Sequence, residues 1–212
     1  GMLNLLQNSA NHGVKKFLFA SSGGAVYGEQ DTFPASEGHQ TNPLSPYGIS
    51  KLAGEKYLFY FKEVHGLDYT ALRYANIYGP RQNPHGEAGV IAIFTTKLLK
   101  GEQPVINGDG KQTRDYVYVK DVVEANWQAT VRSYCGPVNI GTGIETDVNE
   151  LFSELVKLTG SKAQEVHAPA KAGEQKRSVI DNRKAGEVLG WKPTVSLEEG
   201  LRETVQFFSS SK

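Results

Sequence analysis

The sequence lacks several features that mark whole classes of protein. It contains one cysteine, Cys135, so no disulfide can form within the chain, which fits a reducing, cytoplasmic setting. The charges of its 23 basic and 23 acidic residues sum to zero, which gives no indication of a nucleic-acid or anionic-membrane partner. No apolar run is long enough to span a bilayer, and the five histidines have no metal-ligand spacing. Composition therefore predicts a cytoplasmic globular protein without a metal site.

Hydrophobic patterning in the first 80 residues alternates between helix and strand. An apolar stripe predicts a helix over residues 2–11, and the continuous apolar run KKFLFASS predicts a buried strand over residues 15–22. Ser45 and Pro46 suit the N-cap and first turn of a helix over residues 46–64, and DYTALRYANIYGP predicts a second buried strand. The order α, β, α, β is typical of a doubly wound, Rossmann-type α/β fold with a parallel sheet.

The remaining segments are less regular. The stretch that begins GGAVYG and runs to the helix at residue 46 is rich in Gly, Pro, Ser and Asn, which predicts a loop. Beyond Pro80, shorter helices and strands follow without a repeat, and Asp147 and Ser196 are candidate N-caps for two of these helices. We therefore divide the chain into residues 1–80 and a second, smaller α/β domain over residues 81–212.

The segment SPYGISK places Tyr47 and Lys51 four residues apart near the start of a predicted helix. Side chains at i and i+4 share a helix face, and a lysine ammonium near a tyrosine hydroxyl favours the phenolate that a general base needs. About one such pair is expected by chance in a chain of this composition, and a second copy is present at Tyr116 and Lys120. The spacing alone is weak evidence, because the alternative is a tyrosine packed over a lysine stem.

The sequence around Tyr47 and Lys51 strengthens their interpretation as a catalytic pair. Upstream, FASSGGAVYG carries Ser21 and Ser22 from a predicted strand into a glycine-rich loop, whereas no such loop precedes Tyr116. In parallel α/β sheets, ligands bind at the carboxyl ends of the strands, where a serine hydroxyl can hydrogen-bond a reacting oxygen. The alternative is that both serines only cap backbone groups.

Four motifs in this order resemble one known family. FASSGGAVYG, SPYGISK, LRYANIYGPRQ and GDGKQTRDYVYVKDVV are similar to the extended short-chain dehydrogenase/reductase family of NAD-dependent epimerases and dehydratases, and most of all to bacterial UDP-glucose 4-epimerases. The resemblance extends to the C-terminal segments NIGTG and RSVIDNRKAGEVLGWKP. It implies that residues 1–80 are the second half of a dinucleotide-binding fold and that residues 81–212 bind a nucleotide sugar.

The resemblance also implies a reaction. In these enzymes a tyrosine removes the proton of the sugar 4-hydroxyl while C4 passes hydride to NAD+, and the hydride later returns to the other face of the 4-keto sugar. By resemblance, Tyr47 is the base, and Lys51 supports its charge and binds the nicotinamide ribose. The partner hydroxyl is expected from Ser22, with Ser21 as the alternative. Cofactor contacts are expected from Tyr47, Lys51, Tyr74 and Ser21.

Other residues match positions that hold the nucleotide sugar. By resemblance, Asn76 and Arg114 contact the diphosphate, for which the guanidinium fork is well suited. The family's Arg-Pro-Gly-Asp appears here as KAGE over residues 171–174. Lys171 and Glu174 are therefore expected to bind the substrate with altered geometry, and Arg177 is a candidate to compensate.

The residues just before VYG differ between members of this family that catalyse different reactions. Dehydratases carry an Asp-Glu pair there and decarboxylases usually carry a glutamate, whereas this chain has Gly24 and Ala25, which are neither acid nor base. The resemblance therefore favours epimerisation. The alternatives are a sibling dehydratase or decarboxylase, and a non-catalytic module that only binds a UDP-sugar or a partner.

One family motif has no counterpart in this sequence. The family begins with a strand, a G-x-x-G-x-x-G turn and a helix that hold the NAD pyrophosphate, and no stretch here has that spacing. We therefore expect the C-terminal part of a doubly wound sheet, roughly 100 residues short at about 30 residues per βαβ unit, with impaired activity alone. The resemblance also implies a homodimer through the helices over residues 2–11 and 46–64.

Overall fold

The computed structural model describes residues 1–85, 89–170, 173 and 175–210. In these residues the chain forms eight helices: α1 (Met2–Asn11), α2 (Gly23–Val26), α3 (Pro46–His65), α4 (Val90–Leu99), α5 (Val119–Val131), α6 (Val148–Thr159), α7 (Arg183–Leu189) and α8 (Leu197–Ser210). The strands in the same residues are β1 (Lys16–Ser22), β2 (Asp68–Tyr74), β3 (Asn76–Tyr78), β4 (Ile106–Asn107), β5 (Thr113–Arg114), β6 (Tyr116–Tyr118), β7 (Gly136–Ile140), β8 (Thr146–Asp147), β9 (His167–Ala168) and β10 (Arg177–Ser178). None of the described helices is both long and apolar enough to cross a membrane.

The main sheet is parallel and has the strand order β1-β2-β7. Its middle strand is buried on both faces, because Ala71 packs with α1 and α3 while Leu72 packs with α5 and α7. Successive side chains on a strand point to opposite faces, so a strand between two helical layers requires a continuous apolar run. The predicted Rossmann-type α/β architecture is confirmed.

The register of the main sheet aligns the carboxyl ends of its strands. Ser22 on β1 pairs with Tyr74 on β2, and Tyr74 pairs with Ile140 on β7. The segments that follow these three strands therefore emerge at one edge of the sheet. This edge is where parallel α/β sheets bind their ligands.

A second core lies beside the main sheet. Helices α4, α6 and α8 pack around Tyr78, Tyr116 and Tyr118, and the short pairs β3-β6 and β4-β9 and the sheet β10-β5-β8 accompany them. Strand β7 belongs to the main sheet although it lies beyond residue 80. The main sheet therefore takes strands from both predicted domains, and the boundary at residue 80 stays a prediction.

The predicted N-caps are confirmed. The Ser45 hydroxyl accepts a hydrogen bond from the Gly48 amide at 3.1 Å, and Pro46 occupies the first turn of α3. The Asp147 carboxylate accepts from the Glu150 amide at 2.7 Å at the start of α6. These caps satisfy backbone donors that have no partner within the helix.

Two local predictions are wrong. The stretch predicted as loop begins with the short helix α2, which follows β1 without an intervening residue. The strand predicted over DYTALRYANIYGP is divided at Ala75, because the Ala75 amide donates to the Ile140 carbonyl at 2.9 Å while the Asn76 amide donates to the Asp115 carbonyl at 2.8 Å. The backbone changes its partner there and leaves the main sheet to pair with β6.

Candidate active site

An open cleft of about 530 Å³ lies at the carboxyl ends of β1 and β2. The residues that line it include six of the predicted site residues: Ser21, Ser22, Tyr47, Tyr74, Asn76 and Arg114. These six come from five different elements, so only the folded chain brings them together.

Tyr47 and Lys51 share the face of α3 that meets β1. The Lys51 ammonium donates to the Ala20 carbonyl at 2.8 Å and lies 5.4 Å from the centre of the Tyr47 ring. Tyr47 itself is 53% exposed and lines the cleft. The fold thus holds a positive charge beside a phenol that a substrate can reach, which is what a general base requires.

Gly48 allows the first turn of α3 to lie close to α2, the short helix that follows β1. A Cβ atom at this position would lie 2.6 Å from the Ala25 carbonyl and 2.8 Å from Pro43. Only glycine therefore permits this approach without a shift of the backbone. As a result the first turn of α3 lies close to α2, and Tyr47, Gly24 and Ala25 line the same cleft.

The two serines at the end of β1 differ in their contacts. Ser21 is buried, and its hydroxyl donates to Glu55 Oε1 at 2.5 Å. Ser22 is half-buried at the N-cap of α2, where its hydroxyl accepts no capping hydrogen bond. The geometry therefore favours Ser22 as the hydroxyl that serves the cleft. A cofactor contact from Ser21 stays a prediction, with its hydroxyl proton directed away to Glu55.

Tyr74 forms part of the cleft wall. Its hydroxyl donates to Asn126 Oδ1 at 2.9 Å, and burial raises the pKa of Tyr74 above its usual value although this hydrogen bond acts in the opposite direction. The phenol therefore stays neutral near pH 7. A neutral aromatic ring at this place suits a flat ligand ring beside it.

Asn76 and Arg114 lie where the cleft meets a second recess of about 420 Å³. This recess has apolar walls that include Phe94 and Val105, together with the polar side chain of Gln112. The Arg114 guanidinium donates to the Thr113 carbonyl at 2.8 Å. A ligand that spans both spaces would pass a carboxamide and a guanidinium at their junction.

The KAGE segment is described only in part. Lys171 and Glu174 lie outside the described residues, so their predicted substrate contacts stay predictions, while Gly173 lines the cleft. Arg177 is engaged elsewhere, because its guanidinium donates to both Glu145 oxygens, at 2.9 and 2.6 Å, and lies 3.6 Å from the centre of the Phe33 ring. These contacts do not support the expectation that Arg177 compensates for Lys171.

Sequence reasoning missed a buried polar network below the cleft. Glu55, one turn beyond Lys51 on the same helix face, binds Arg73 of β2, and Arg73 in turn contacts Tyr27. A signal was available, because Tyr47, Lys51 and Glu55 follow one another at intervals of four residues. That spacing predicts a shared face but not the partner of the carboxylate.

The donor set fits part of a nicotinamide cofactor. The Ser22 and Tyr47 hydroxyls and the Lys51 ammonium suit the hydroxyls of a ribose, and the Tyr74 ring suits a flat heterocycle. Among the residues that the structure describes, no group of three or more His, Cys, Asp or Glu side chains is arranged to hold a metal ion.

Comparison with known proteins gives consistent matches over the whole chain. A sequence model of the GDP-mannose 4,6 dehydratase family matches residues 1–204. A protein of Methanocaldococcus jannaschii named putative UDP-glucose 4-epimerase is 46% identical over 216 residues, which cover 100% of this chain and 68% of that protein. A UDP-N-acetyl-alpha-D-glucosaminuronate decarboxylase of Bacillus cytotoxicus is 38% identical over 221 residues, covering 98% of this chain and 68% of the relative.

Solved structures of similar proteins have the same fold. The UDP-glucose 4-epimerase of Thermotoga maritima, solved with UDP-glucose, has a TM-score of 0.97 and 52% identity, and the match covers 99% of this chain and 68% of that one. The UDP-glucose 4-epimerase of Thermus thermophilus, solved in complex with NAD, has a TM-score of 0.93 and 41% identity over 100% of this chain and 69% of that one.

Proposed function

Because this chain belongs to the NAD-dependent epimerase/dehydratase family, we propose that it carries the catalytic residues of a nucleotide-sugar 4-epimerase of the UDP-glucose/UDP-galactose type. The observation that carries the proposal is the convergence of Tyr47 and Ser22 at one cleft, with the Lys51 ammonium 5.4 Å from the centre of the Tyr47 ring. NAD, when bound, supplies the hydride acceptor and donor for C4 of the sugar.

Each of the three residues has a role that its environment supports. Tyr47, as phenolate, takes the proton of the sugar 4-hydroxyl and gives it back after the sugar has turned. Lys51, held by the Ala20 carbonyl, offsets the negative charge on the Tyr47 oxygen. Ser22 hydrogen-bonds the same sugar oxygen and orients it.

The diphosphate of the substrate is assigned to Asn76 and Arg114, and its nucleotide to the second half of the chain. Asn76 and Arg114 lie at the junction of the cleft and the second recess, where a diphosphate between sugar and base would pass. Arg114 offers bidentate hydrogen bonds to phosphate oxygens. Lys171 and Glu174 are proposed as further substrate contacts on the family resemblance alone.

Epimerisation is favoured over elimination or decarboxylation by the residues of α2, which follows β1. Gly24 and Ala25 line the cleft beside Tyr47, and neither carries an acid or a base. Removal of water from the sugar needs such a group in addition to the tyrosine. A similar decarboxylase is known at 38% identity, so product identity is the property to measure.

The test is to incubate the protein, expressed from its complete reading frame, with NAD and UDP-glucose and to identify the product by NMR. Appearance of UDP-galactose supports the proposal. A 4-keto-6-deoxy sugar would identify a dehydratase instead. In a parallel incubation with UDP-glucuronate, formation of a UDP-pentose would identify a decarboxylase. Calorimetric binding of a UDP-sugar with no turnover would identify a non-catalytic binding module.

We further propose that these 212 residues bind NAD weakly by themselves, since their sequence has no G-x-x-G-x-x-G segment for the pyrophosphate. Calorimetric titration of the 212-residue chain with NAD should give a dissociation constant weaker than about 1 μM, that is, less favourable than about −8.2 kcal/mol. Micromolar or tighter binding would contradict this.

A homodimer is proposed through α1 and α3. The two helices pack against each other, and their outer faces expose Leu5, Ile49, Phe59 and Val64. Exposed apolar clusters of this kind mark interaction surfaces. Light scattering should give twice the chain mass, and Ile49→Lys should give a monomer, whereas Val123→Lys on α5 should not. A monomeric wild-type protein would contradict the proposal.

A cytoplasmic location is proposed on the single cysteine alone.

A further inference from the structure

The buried carboxylate of Glu55 lies one helical turn after the Tyr47–Lys51 pair on α3. Tyr47, Lys51 and Glu55 share a face of α3, since they are four residues apart. Tyr47 lines the cleft and Lys51 lies beside its ring, whereas Glu55 is only 7% exposed. Its carboxylate accepts hydrogen bonds from Arg73 Nη2 at 2.6 Å and from Arg73 Nε at 3.0 Å.

The same carboxylate joins α3 to the strand that carries Ser22. The Ser21 hydroxyl donates to Glu55 Oε1 at 2.5 Å, and Ser21 and Arg73 are register partners on β1 and β2. Both therefore point to the same side of the sheet, toward α3. Glu55 thus fixes the helix of Tyr47 against the two strands whose ends form the cleft.

Arg73 extends the network to Tyr27, the C-cap of the helix α2 that follows Ser22. Its Nη1 donates to the Tyr27 hydroxyl at 3.0 Å, and the guanidinium lies 5.1 Å from the centre of the Tyr27 ring. The Tyr27 hydroxyl in turn donates to Asn139 Oδ1 on β7 at 2.7 Å. Helix α2, with Ser22 at its N-cap and Gly24 and Ala25 within it, is therefore anchored at its start by Ser21 and at its end by Tyr27.

We propose that Glu55 and Arg73 are positioning residues that set the distance between the Tyr47–Lys51 pair and Ser22. The proposal rests on the proposed function. A buried ion pair adds little stability over an apolar pair of similar size, so stability alone does not account for the Glu55–Arg73 bond. Its consequence is geometric, because it links α3 and β1, which carry the catalytic groups, to β2 and to the end of α2.

The decisive variant replaces the ion pair by apolar side chains, Glu55→Leu together with Arg73→Met. In the protein expressed from its complete reading frame, kcat for UDP-glucose epimerisation should fall by about 100-fold, because a displacement of about 1 Å costs that much, while KM changes less than about threefold. The matched control is Thr70→Val on β2, which removes a buried hydroxyl that donates to the Tyr134 carbonyl at 3.0 Å, remote from α3. The control should keep both constants.

Two further measurements keep the inference open to contradiction. If the double variant does not fold, Ser21→Ala should lower kcat by about tenfold, again with KM retained. Amide hydrogen exchange in residues 22–27 and 45–51 should accelerate by about tenfold in the variants but not in Thr70→Val. If the wild-type protein has no epimerase activity, the proposed function fails, and hydrogen exchange alone then decides the positioning role of Glu55 and Arg73.

A folded double variant with the wild-type kcat would overturn the positioning role. Unchanged hydrogen exchange in the variants would overturn it as well.

Discussion

The chain contains two Tyr-x-x-x-Lys pairs with the same spacing and different environments. Tyr47 and Lys51 lie on one face of α3, with Tyr47 53% exposed at the cleft. Tyr116 lies in β6, only 6% exposed, with its ring 6.4 Å from that of Tyr78. Lys120 belongs to α5 and pairs with Glu203 at 2.6 Å.

The difference shows that a sequence interval has chemical meaning only within one secondary-structure element. The i, i+4 rule applies to two residues of the same helix, and Tyr116 and Lys120 belong to a strand and a helix. Lys51 is held by the Ala20 carbonyl beside an accessible phenol, whereas Lys120 neutralises a carboxylate at the surface. The first pair therefore has the geometry that the proposed catalysis requires, whereas the second does not.

The largest expected effect is on stability at the second pair. Tyr116→Ala removes a buried aromatic ring and should lower the free energy of unfolding by about 3–5 kcal/mol. Tyr47→Ala, at an exposed position, should change it by less than about 0.5 kcal/mol. Urea denaturation of both variants measures the contrast. Equal losses would contradict the division into a structural and a catalytic tyrosine.

The next effect is on activity at the two lysines. Lys51→Met should lower kcat by at least about 100-fold, since it removes the charge that stabilises the phenolate of Tyr47. Lys120→Met should leave kcat within about threefold, because Lys120 pairs with a surface carboxylate at 2.6 Å and lies 5.8 Å from the centre of the Tyr118 ring. Steady-state kinetics with UDP-glucose and NAD decides between them, and similar losses in both variants would remove the distinction.

A smaller effect concerns pH and the network that supports the first pair. Burial raises the pKa of Tyr27 to about 12 from the usual 10.0. Below pH 10 the folded and unfolded chains both keep this proton, and between these two values only the folded chain keeps it. The free energy of unfolding should therefore fall by an amount on the order of 2 kcal/mol as the pH rises across this window.

Tyr27→Phe checks this assignment. The variant loses hydrogen bonds to Arg73 and Asn139, so it should be less stable at neutral pH. Its stability should nevertheless decline less steeply between pH 10 and pH 12 than that of the wild-type protein. An unchanged slope in chemical denaturation over that range would show that another group carries the dependence.

Much of the fold follows from local pattern. The apolar runs over residues 15–22 and 68–80 predict buried strands, of which β1 and β2 form, and Ser45 with Pro46 predicts the start of α3. These signals are local, since each depends on neighbouring residues in the same element. The division at Ala75 is different, because it depends on the carbonyls of Ile140 and Asp115, which are distant in sequence.

The candidate site was predictable residue by residue but not as a network. Tyr47, Lys51 and Ser22 belong to short motifs, and the structure brings Tyr47 and Ser22 to one cleft with Lys51 beside the Tyr47 ring. The bonds of Glu55 to Arg73 and Ser21 connect residues 18 and 34 positions apart on three elements. Neither periodicity nor residue type fixes such pairings, because they depend on the register of β1 against β2 and on the placement of α3.

The most direct test of the account is Tyr47→Phe, which removes one oxygen atom. In the protein expressed from its complete reading frame, the rate of UDP-glucose and UDP-galactose interconversion should fall by about 1,000-fold or more, while calorimetric UDP binding stays within about twofold. Tyr57→Phe, at another exposed position of α3, should keep both values. A Tyr47→Phe variant that retains the wild-type rate would contradict the assignment of Tyr47 as the catalytic base.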